Sequence, residues 1–365
     1  MLRAGFIGFG RMGITHYSIL NSHPSVDVIA VCDQSTTMLS ILKKYVNVMT
    51  FTDYREMIEK SSLDFVIIST PPDSHAQIVQ FALENNLHVF VEKPFTLSVA
   101  EGQNILSDFK FRSLIHQVGY VNRFNEVFIE VKKLVDEGVI GDVSNCYSEM
   151  YGATVVKDSK SGWRGHRKTG GGCLYDFASH CIDLAVYLLG QPEKVAGSVM
   201  QSIYSSGSED LVSSTLIYEN GCTVEIMTNW SDESFRKPTN ILTVFGTKGK
   251  IVADKHAYKI FLKEADPEHK LDKGWNTAYL PDLAQSVRLY VRGNEFTRQL
   301  DYFVGRIRNE TIGNIAGFDE AFKTDIVMEQ IALDASYNHS FPDNDLRSRL
   351  FLRKSSEKPS AFGKK

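Results

Sequence analysis

Gly8-Phe9-Gly10-Arg11-Met12-Gly13 follows an apolar run that begins at Ala4 and leads directly into a helical stretch. Glycines at this spacing meet three separate demands. The first permits a tight turn, the second lets the backbone approach a pyrophosphate, and the third lets the helix pack close to the strand. The helix N-terminus then offers amide donors to an anion. Glycine turns are common, and the competing reading is a structural turn followed by a helix-capping Asp33. The surroundings favour a dinucleotide site. A strand precedes the glycines, a helix follows, and Asp33 closes the next strand 20 positions after Gly13. A carboxylate placed there can accept from the adenosine ribose hydroxyls. It also repels a ribose 2′-phosphate, and neither Gln34 nor Ser35 brings a cation, so NAD is favoured over NADP. Arg11, inside the loop, is placed to reach a phosphate and keeps NADP open.

Outward from the loop, short apolar runs alternate with amphipathic stretches through the first 120 residues. Ala4–Gly8, Val26–Cys32, Val46–Phe51, Phe65–Ser69, His88–Val91 and Leu114–Val118 read as strands, several of them almost wholly apolar. Strands of that kind are buried on both faces, as in a parallel sheet. Asp73–Asn86, with Asp73 as cap, and Ser98–Lys110 read as helices between them. The pattern predicts a doubly wound α/β sheet. Ser69-Thr70-Pro71 closes the fourth strand at the sheet's carboxyl edge, where such sheets bind ligands, and His75 either faces the cofactor there or starts a helix.

After Tyr120 the pattern changes. Phe124–Glu137 and Leu174–Leu189 read as helices, and from Lys194 to Leu262 the residues alternate with period two. Helices follow at Asn294–Arg308 and Gly317–Asn338. The expected division is a dinucleotide-binding domain over 1–122 and an α+β domain with a large, mostly antiparallel open sheet over 123–340. A basic tail over 341–365 carries Ser, Pro and Gly and little to bury.

Two constellations carry chemistry. Glu92-Lys93-Pro94 ends the fifth strand on the ligand edge. Lysine is costly to bury, so one at that edge is a candidate for substrate work, although from the tripeptide alone a snorkelling surface lysine paired with Glu92 is the better reading. The second is the helix opened by Gly170-Gly171-Gly172. Asp176, His180, Asp183 and Tyr187, spaced by four, three and four, share one face of it. Oxidising an alcohol needs a base for the hydroxyl proton. Histidine titrates in the right range, a carboxylate can orient it or the substrate, and a lysine can stabilise developing alkoxide charge. An ionised Asp176 close by would raise the His180 pKa. The competing reading is a solvated helix face with an incidental histidine.

Together, the glycine turn, Glu92-Lys93-Pro94, Gly119-Tyr120-Val121-Asn122-Arg123-Phe124, Trp163-Arg164 and the run Gly170 to Asp183 resemble the Gfo/Idh/MocA oxidoreductases. The resemblance extends to about residue 340. It implies a Rossmann domain, then an α+β domain whose open sheet is an oligomer interface. It further implies that Lys93 contacts the reacting hydroxyl and that the Lys93–Pro94 bond is cis. Asp176 would orient the substrate, His180 would be the general base, and Arg123, Trp163 and Arg164 would line the cleft. Implied substrates are sugars, nucleotide-sugars or cyclitols. Arg164, His166, Arg167 and Lys168, with Arg236 and Lys237, would suit an acidic or nucleotide-linked sugar, unless they are solvated loop charge. Two rival functions stay open: an NAD-dependent glycosidase with transient hydride transfer, and a dinucleotide-sensing regulator without turnover.

Composition narrows the classes. With 365 residues, 43% hydrophobic and 23% charged, the chain suits a two-domain globular protein. A net charge of −4 gives no reason to expect nucleic acid or an anionic membrane. No apolar run approaches the roughly 20 residues needed to span a bilayer. Leu2–Gly10 is too short for a signal peptide. Five scattered cysteines suit a reducing compartment, and Cys173, His180 and Cys181 match no common zinc spacing, so no metal is expected. The reading is a cytoplasmic homodimer or homotetramer.

Overall fold

The computed structural model describes residues 1–109, 113–157, 163–284 and 286–339. The basic tail over 341–365 and the expected helix end at Lys110 lie outside the described residues. In the first half, β1 (Leu2–Ile7), α1 (Arg11–Leu20), β2 (Val26–Cys32), α2 (Thr36–Tyr45), β3 (Met49–Phe51), α3 (Tyr54–Lys60), β4 (Phe65–Ile68), α4 (His75–Glu84), β5 (His88–Val91), α5 (Val99–Phe109) and β6 (His116–Val118) alternate. The strands pair in the order β3-β2-β1-β4-β5-β6, all parallel. Chain direction across the sheet reverses between β1 and β4, which opens a crevice at their carboxyl ends.

Strand β4 shows why the apolar runs fold this way. All four of its residues are fully buried, Phe65 and Ile67 in one core with Phe6 and Phe90, Val66 and Ile68 in the other with Ile7, Val89 and Val91. Helix α4 begins after a tight turn over Pro72–Ser74, so Ser74 rather than Asp73 occupies its N-cap.

The second half contains α6 (Glu126–Asp136), β7 (Val143–Tyr151), α7 (Ser179–Leu189), β8 (Lys194–Gln201), β9 (Leu211–Ile217), β10 (Thr223–Asn229), β11 (Thr239–Gly246), β12 (Gly249–Asp254), β13 (Ala257–Leu262), β14 (Gly274–Tyr279), α8 (Leu280–Leu283), α9 (Asn294–Ile307) and α10 (Phe318–His339). Its eight strands run β14-β13-β12-β11-β7-β10-β9-β8, antiparallel except where β7 meets β10. One face is packed by α6, α7 and α10 through residues such as Phe128, Ile182 and Met328. Strand β7 escapes the periodic pattern because one of its inward positions is polar. Ser148 is buried and donates to the Cys181 carbonyl at 3.0 Å.

Two helices from the end of the chain pack against the first sheet as well. Leu300, Phe303 and Val304 of α9 sit in the core that holds Phe6 and Phe65, and Phe318, Ala321 and Phe322 of α10 complete the opposite one. The last two helices thus return to the first sheet and tie the halves together. No described helix is long and apolar enough to cross a membrane.

Candidate active site

The glycine turn has the geometry its spacing demands. Gly8 has φ +87°, and a Cβ on it would lie 2.8 Å from the backbone of Ser69 and Thr70. A Cβ on Gly13 would meet the Gly8 carbonyl oxygen at 2.2 Å, so α1 packs against the turn only with glycine there. At Gly10 a Cβ would meet nothing within 4 Å, which leaves that side open for a ligand. Gly10 caps α1 without a side-chain acceptor, so the first amides of the helix keep their capacity for an anion.

Asp33 accepts from the Phe9 amide at 2.6 Å and from the Ser35 amide at 2.7 Å, one bond on each oxygen. A carboxylate offers about four acceptor positions, so each oxygen retains one for a ribose hydroxyl. Ser69 buttresses the turn, its hydroxyl donating to the Gly8 carbonyl at 2.8 Å. Thr70 accepts from the Ser74 hydroxyl at 2.7 Å, ahead of Pro71 and Pro72. These residues fit a dinucleotide.

His75 takes the less specific of its two sequence readings. It is fully buried, with ring nitrogens 2.8 Å from the Pro94 carbonyl and 3.1 Å from the Thr70 carbonyl. It braces the ends of β4 and β5 and has no surface left to face a cofactor. Glu92 is held by His16, whose Nε2 lies 2.6 Å from its Oε1. Burial opposes ionisation of Glu92, but the hydrogen bond and charge of His16, and then Lys93, outweigh it and lower the pKa. His16 had no signal in the sequence, where it reads as one more residue of an amphipathic helix.

Across the domain boundary stands the second constellation. The stretch expected as one helix opens with a π-turn, Leu174–Ala178, in which the Ser179 amide bonds to the Leu174 carbonyl, and continues as α7. The extra residue turns the chain's polar groups toward β5. The Lys93 ammonium donates to the Tyr175 carbonyl at 3.2 Å, the Asp176 carbonyl at 2.8 Å and Asp176 Oδ1 at 2.9 Å. All three of its donors are engaged. Arg164 Nε donates to the other oxygen of Asp176 at 3.0 Å, and its guanidinium stacks on Trp163, 4.7 Å from the ring centre. The Lys93–Pro94 bond is cis.

Electrostatics follow from this geometry. Burial works against an Asp176 carboxylate, yet Lys93 and Arg164 hold its pKa well below the usual carboxylate range. His180 Nδ1 is buried without a hydrogen-bond partner among the described residues. Burial and then the Lys93 charge lower the His180 pKa to about 3, while Asp176 and Glu92 act in the opposite direction. The expected upward pull of Asp176 is present and loses, because burial and then the Lys93 charge outweigh it.

Two members of the expected polar helix face and one expected cleft residue lie elsewhere. Arg123 is 1% exposed, and its Nε donates to both oxygens of Asp183 at 3.0 and 3.1 Å. It donates also to the Ile315 carbonyl at 2.7 Å and lies over the Tyr187 ring. Burial opposes its charge, but Asp183 more than offsets that and raises its pKa. Arg123 therefore joins the helices beneath the cleft and does not line it. Glu209 was invisible in the sequence, lying in a Ser-Gly-Ser-Glu-Asp loop. Its Oε1 accepts from the Leu174 amide at 2.9 Å and so fixes the start of the π-turn. Cys173 and Cys181 are packed thiols, Cys181 pushed up to about 12 by burial. Among the described residues no cluster of His, Cys, Asp and Glu is placed to hold a metal.

Comparison with known proteins places this geometry. Residues 2–120 match the model of an oxidoreductase family with an NAD-binding Rossmann fold, and residues 128–252 match the Gfo/Idh/MocA C-terminal domain. An uncharacterised oxidoreductase of Bacillus subtilis, YrbE, is 28% identical over 68% of this chain and 73% of its own length. Inositol 2-dehydrogenase of Salmonella typhimurium is 28% identical over 53% of this chain, which spans little more than half, 56%, of that enzyme. The 2,7-anhydro-N-acetylneuraminate hydratase of Escherichia coli is 27% identical over 70% of this chain and 68% of its own. Levoglucosan dehydrogenase in complex with NADH superposes with a TM-score of 0.80 at 19% identity, covering 92% of this chain and 97% of the enzyme's. The first sheet, with its glycine turn and Asp33, is an NAD-binding Rossmann domain, and the chain belongs to the Gfo/Idh/MocA family of oxidoreductases.

Proposed function

We propose that this protein is an NAD-dependent dehydrogenase that oxidises a secondary hydroxyl of a sugar, nucleotide-sugar or cyclitol. The observation that carries the reading is the gathering of Lys93, Asp176 and His180 at the carboxyl edge of the parallel sheet, beside the glycine turn. NAD, when bound, supplies the hydride acceptor. His180 takes the hydroxyl proton as the C–H hydride departs, so the alcohol becomes a carbonyl and atoms and charge balance. His180 is neutral and its Nδ1 has no partner among the described residues, and its basicity rises once substrate draws the Lys93 charge away. Lys93, by giving up one of its carbonyl contacts, can donate to the substrate oxygen as negative charge develops. Asp176, held ionised, orients both the lysine and the substrate. The Asp33 carboxylate, facing where a 2′-phosphate would sit, favours NAD over NADP. Trp163 and Arg164 adjoin Asp176 and form a wall suited to a polar substrate.

The hydratase relative gives specific support to a second reading, in which hydride leaves the sugar and later returns. Net cofactor reduction separates the two. With a panel of cyclitols, aldonates and nucleotide-sugars, a dehydrogenase accumulates NADH. Substrate consumption with no accumulation would establish the second chemistry instead. His180→Ala should lower turnover about a hundredfold or more while sparing NAD affinity. Near-normal turnover in that variant would remove His180 as the base.

The pH dependence has a definite sign. With a pKa of about 3, His180 is neutral from the alkaline side down through pH 5, so it imposes no acidic limb on kcat/KM in that range. Lys93→Met removes a positive neighbour and should raise the His180 pKa, moving an acidic limb up toward neutrality. NMR titration of the imidazole checks both statements. A wild-type midpoint between 6 and 7.5, in the ordinary histidine range, would contradict them.

Assembly follows from the uncovered face of the eight-stranded sheet. Tyr147, Met227, Phe261 and Trp275 project from it, with exposures of 41, 36, 37 and 58%. Large apolar side chains on a sheet face that no helix covers are suited to a partner surface. We expect a homodimer or homotetramer joined there. Sedimentation equilibrium should show it, and a monomer at all concentrations would rule it out.

A further inference from the structure

The segment between α8 and α9 does not simply connect them. Arg288 donates to the Ile19 carbonyl at 3.2 Å and the Ser22 hydroxyl at 2.6 Å, and pairs with Asp301 at 2.9 Å. That fixes one end of the segment to the C-terminal end of α1. Leu289 packs on the core beneath, and its carbonyl accepts from the Thr297 hydroxyl at 2.5 Å. Four residues after Arg288, Arg292 Nη1 lies 3.7 Å from Met12 Sδ, with the guanidinium 5.2 Å over the Phe296 ring. From Ile19 back to Met12 is about 10 Å of helix, and four extended residues reach about 13 Å. The segment is thus a strap laid along α1, running from the end of the helix back to its start. It delivers Arg292 to the glycine turn.

We infer that Arg292, contributed by the C-terminal half, is a cofactor-binding residue that pairs with the diphosphate of the bound dinucleotide. Among the described residues neither Arg292 nor Arg11, the loop arginine, forms an ion pair. Arg292 is held by a thioether and an aromatic face, contacts that leave most of its donors free. Its pKa is lowered by partial burial and then by the charge of Arg11, with Glu92 and Glu295 acting in the opposite direction. Two guanidiniums therefore repel one another at the mouth of a helix whose first amides lack a side-chain cap. A dianionic diphosphate relieves that repulsion, and an arginine matches its oxygens with two parallel donors. Nothing in the glycine fingerprint could show this, because the residue lies about 280 positions away in the chain. The strap also makes cofactor affinity depend on the second half of the molecule.

The test is calorimetric and needs no substrate. NAD, ADP-ribose and adenosine are titrated into the wild-type protein, Arg292→Met and Arg292→Lys, with adenosine measured by competition. Loss of a charge-assisted contact should weaken NAD and ADP-ribose by about tenfold or more and leave adenosine within twofold. Lysine should recover part of the loss, since it keeps the charge without the paired donors. A melting temperature for Arg292→Met within about 2 °C of wild type shows that the strap stays seated. ADP-ribose affinity unchanged in Arg292→Met overturns the inference. Equal weakening of adenosine overturns it as well, by showing a distorted site and not a lost phosphate contact. Failure of the wild-type protein to bind NAD or ADP-ribose would instead strike the cofactor site itself.

Discussion

A lysine ammonium that leaves water must find acceptors for three protons, and at Lys93 all three come from a single turn on the other side of the molecule. Much of the site depends on that requirement. The side chains of Lys93 and Asp176 are only 12 and 15% exposed, so a missing partner would leave a charge poorly solvated. An α-helical turn holds its carbonyls in its own ladder. The π-turn over Leu174–Ala178 releases them sideways at the one place where β5 presents a cation. The same contact fixes Asp176 as an anion, while burial and then the Lys93 charge lower the His180 pKa, so both charge states depend on how the two halves meet.

Other buried charges steady the elements on either side of that meeting. Arg123 and Asp183 form a fully buried pair below the cleft, linking the segment after β6 to α7. Glu209 caps the π-turn from the β8–β9 loop. His16 holds Glu92 from α1. Each puts a polar side chain where an apolar one would pack at least as well. Each acts within one half, His16 steadying the end of β5 and the other two steadying α7 and the π-turn that β5 meets. Helices α9 and α10 add an apolar counterpart by returning to both faces of the first sheet.

The first sheet was legible because its strands are buried on both sides. Phe65–Ile68 admits no polar residue, and the glycines of the turn are required by contacts as close as 2.2 Å. Lys93, Asp176 and His180 could be picked out in the sequence as candidate residue types. Their mutual arrangement could not, since a helical wheel assumes 3.6 residues per turn and the π-turn breaks that count between Asp176 and His180. Arg123 was misplaced for a related reason. A sequence shows that an arginine is present, but only packing shows that a buried carboxylate has consumed it. Strand β7 was hidden by Ser148, whose inward hydroxyl is satisfied by a backbone group far off in the chain. Long-range satisfaction of polar groups leaves no periodic trace.

The most direct test of the site's foundation is a double-mutant cycle between Lys93 and Asp176, using Lys93→Met, Asp176→Asn and the pair together, read by urea unfolding. If the ammonium and the π-turn stabilise one another across the domain boundary, the double variant should lose less stability than the two single losses combined, with a coupling of roughly 1–3 kcal/mol. Additive losses, with a coupling below about 0.3 kcal/mol, would mean that the contact is incidental and that something else holds the cleft together.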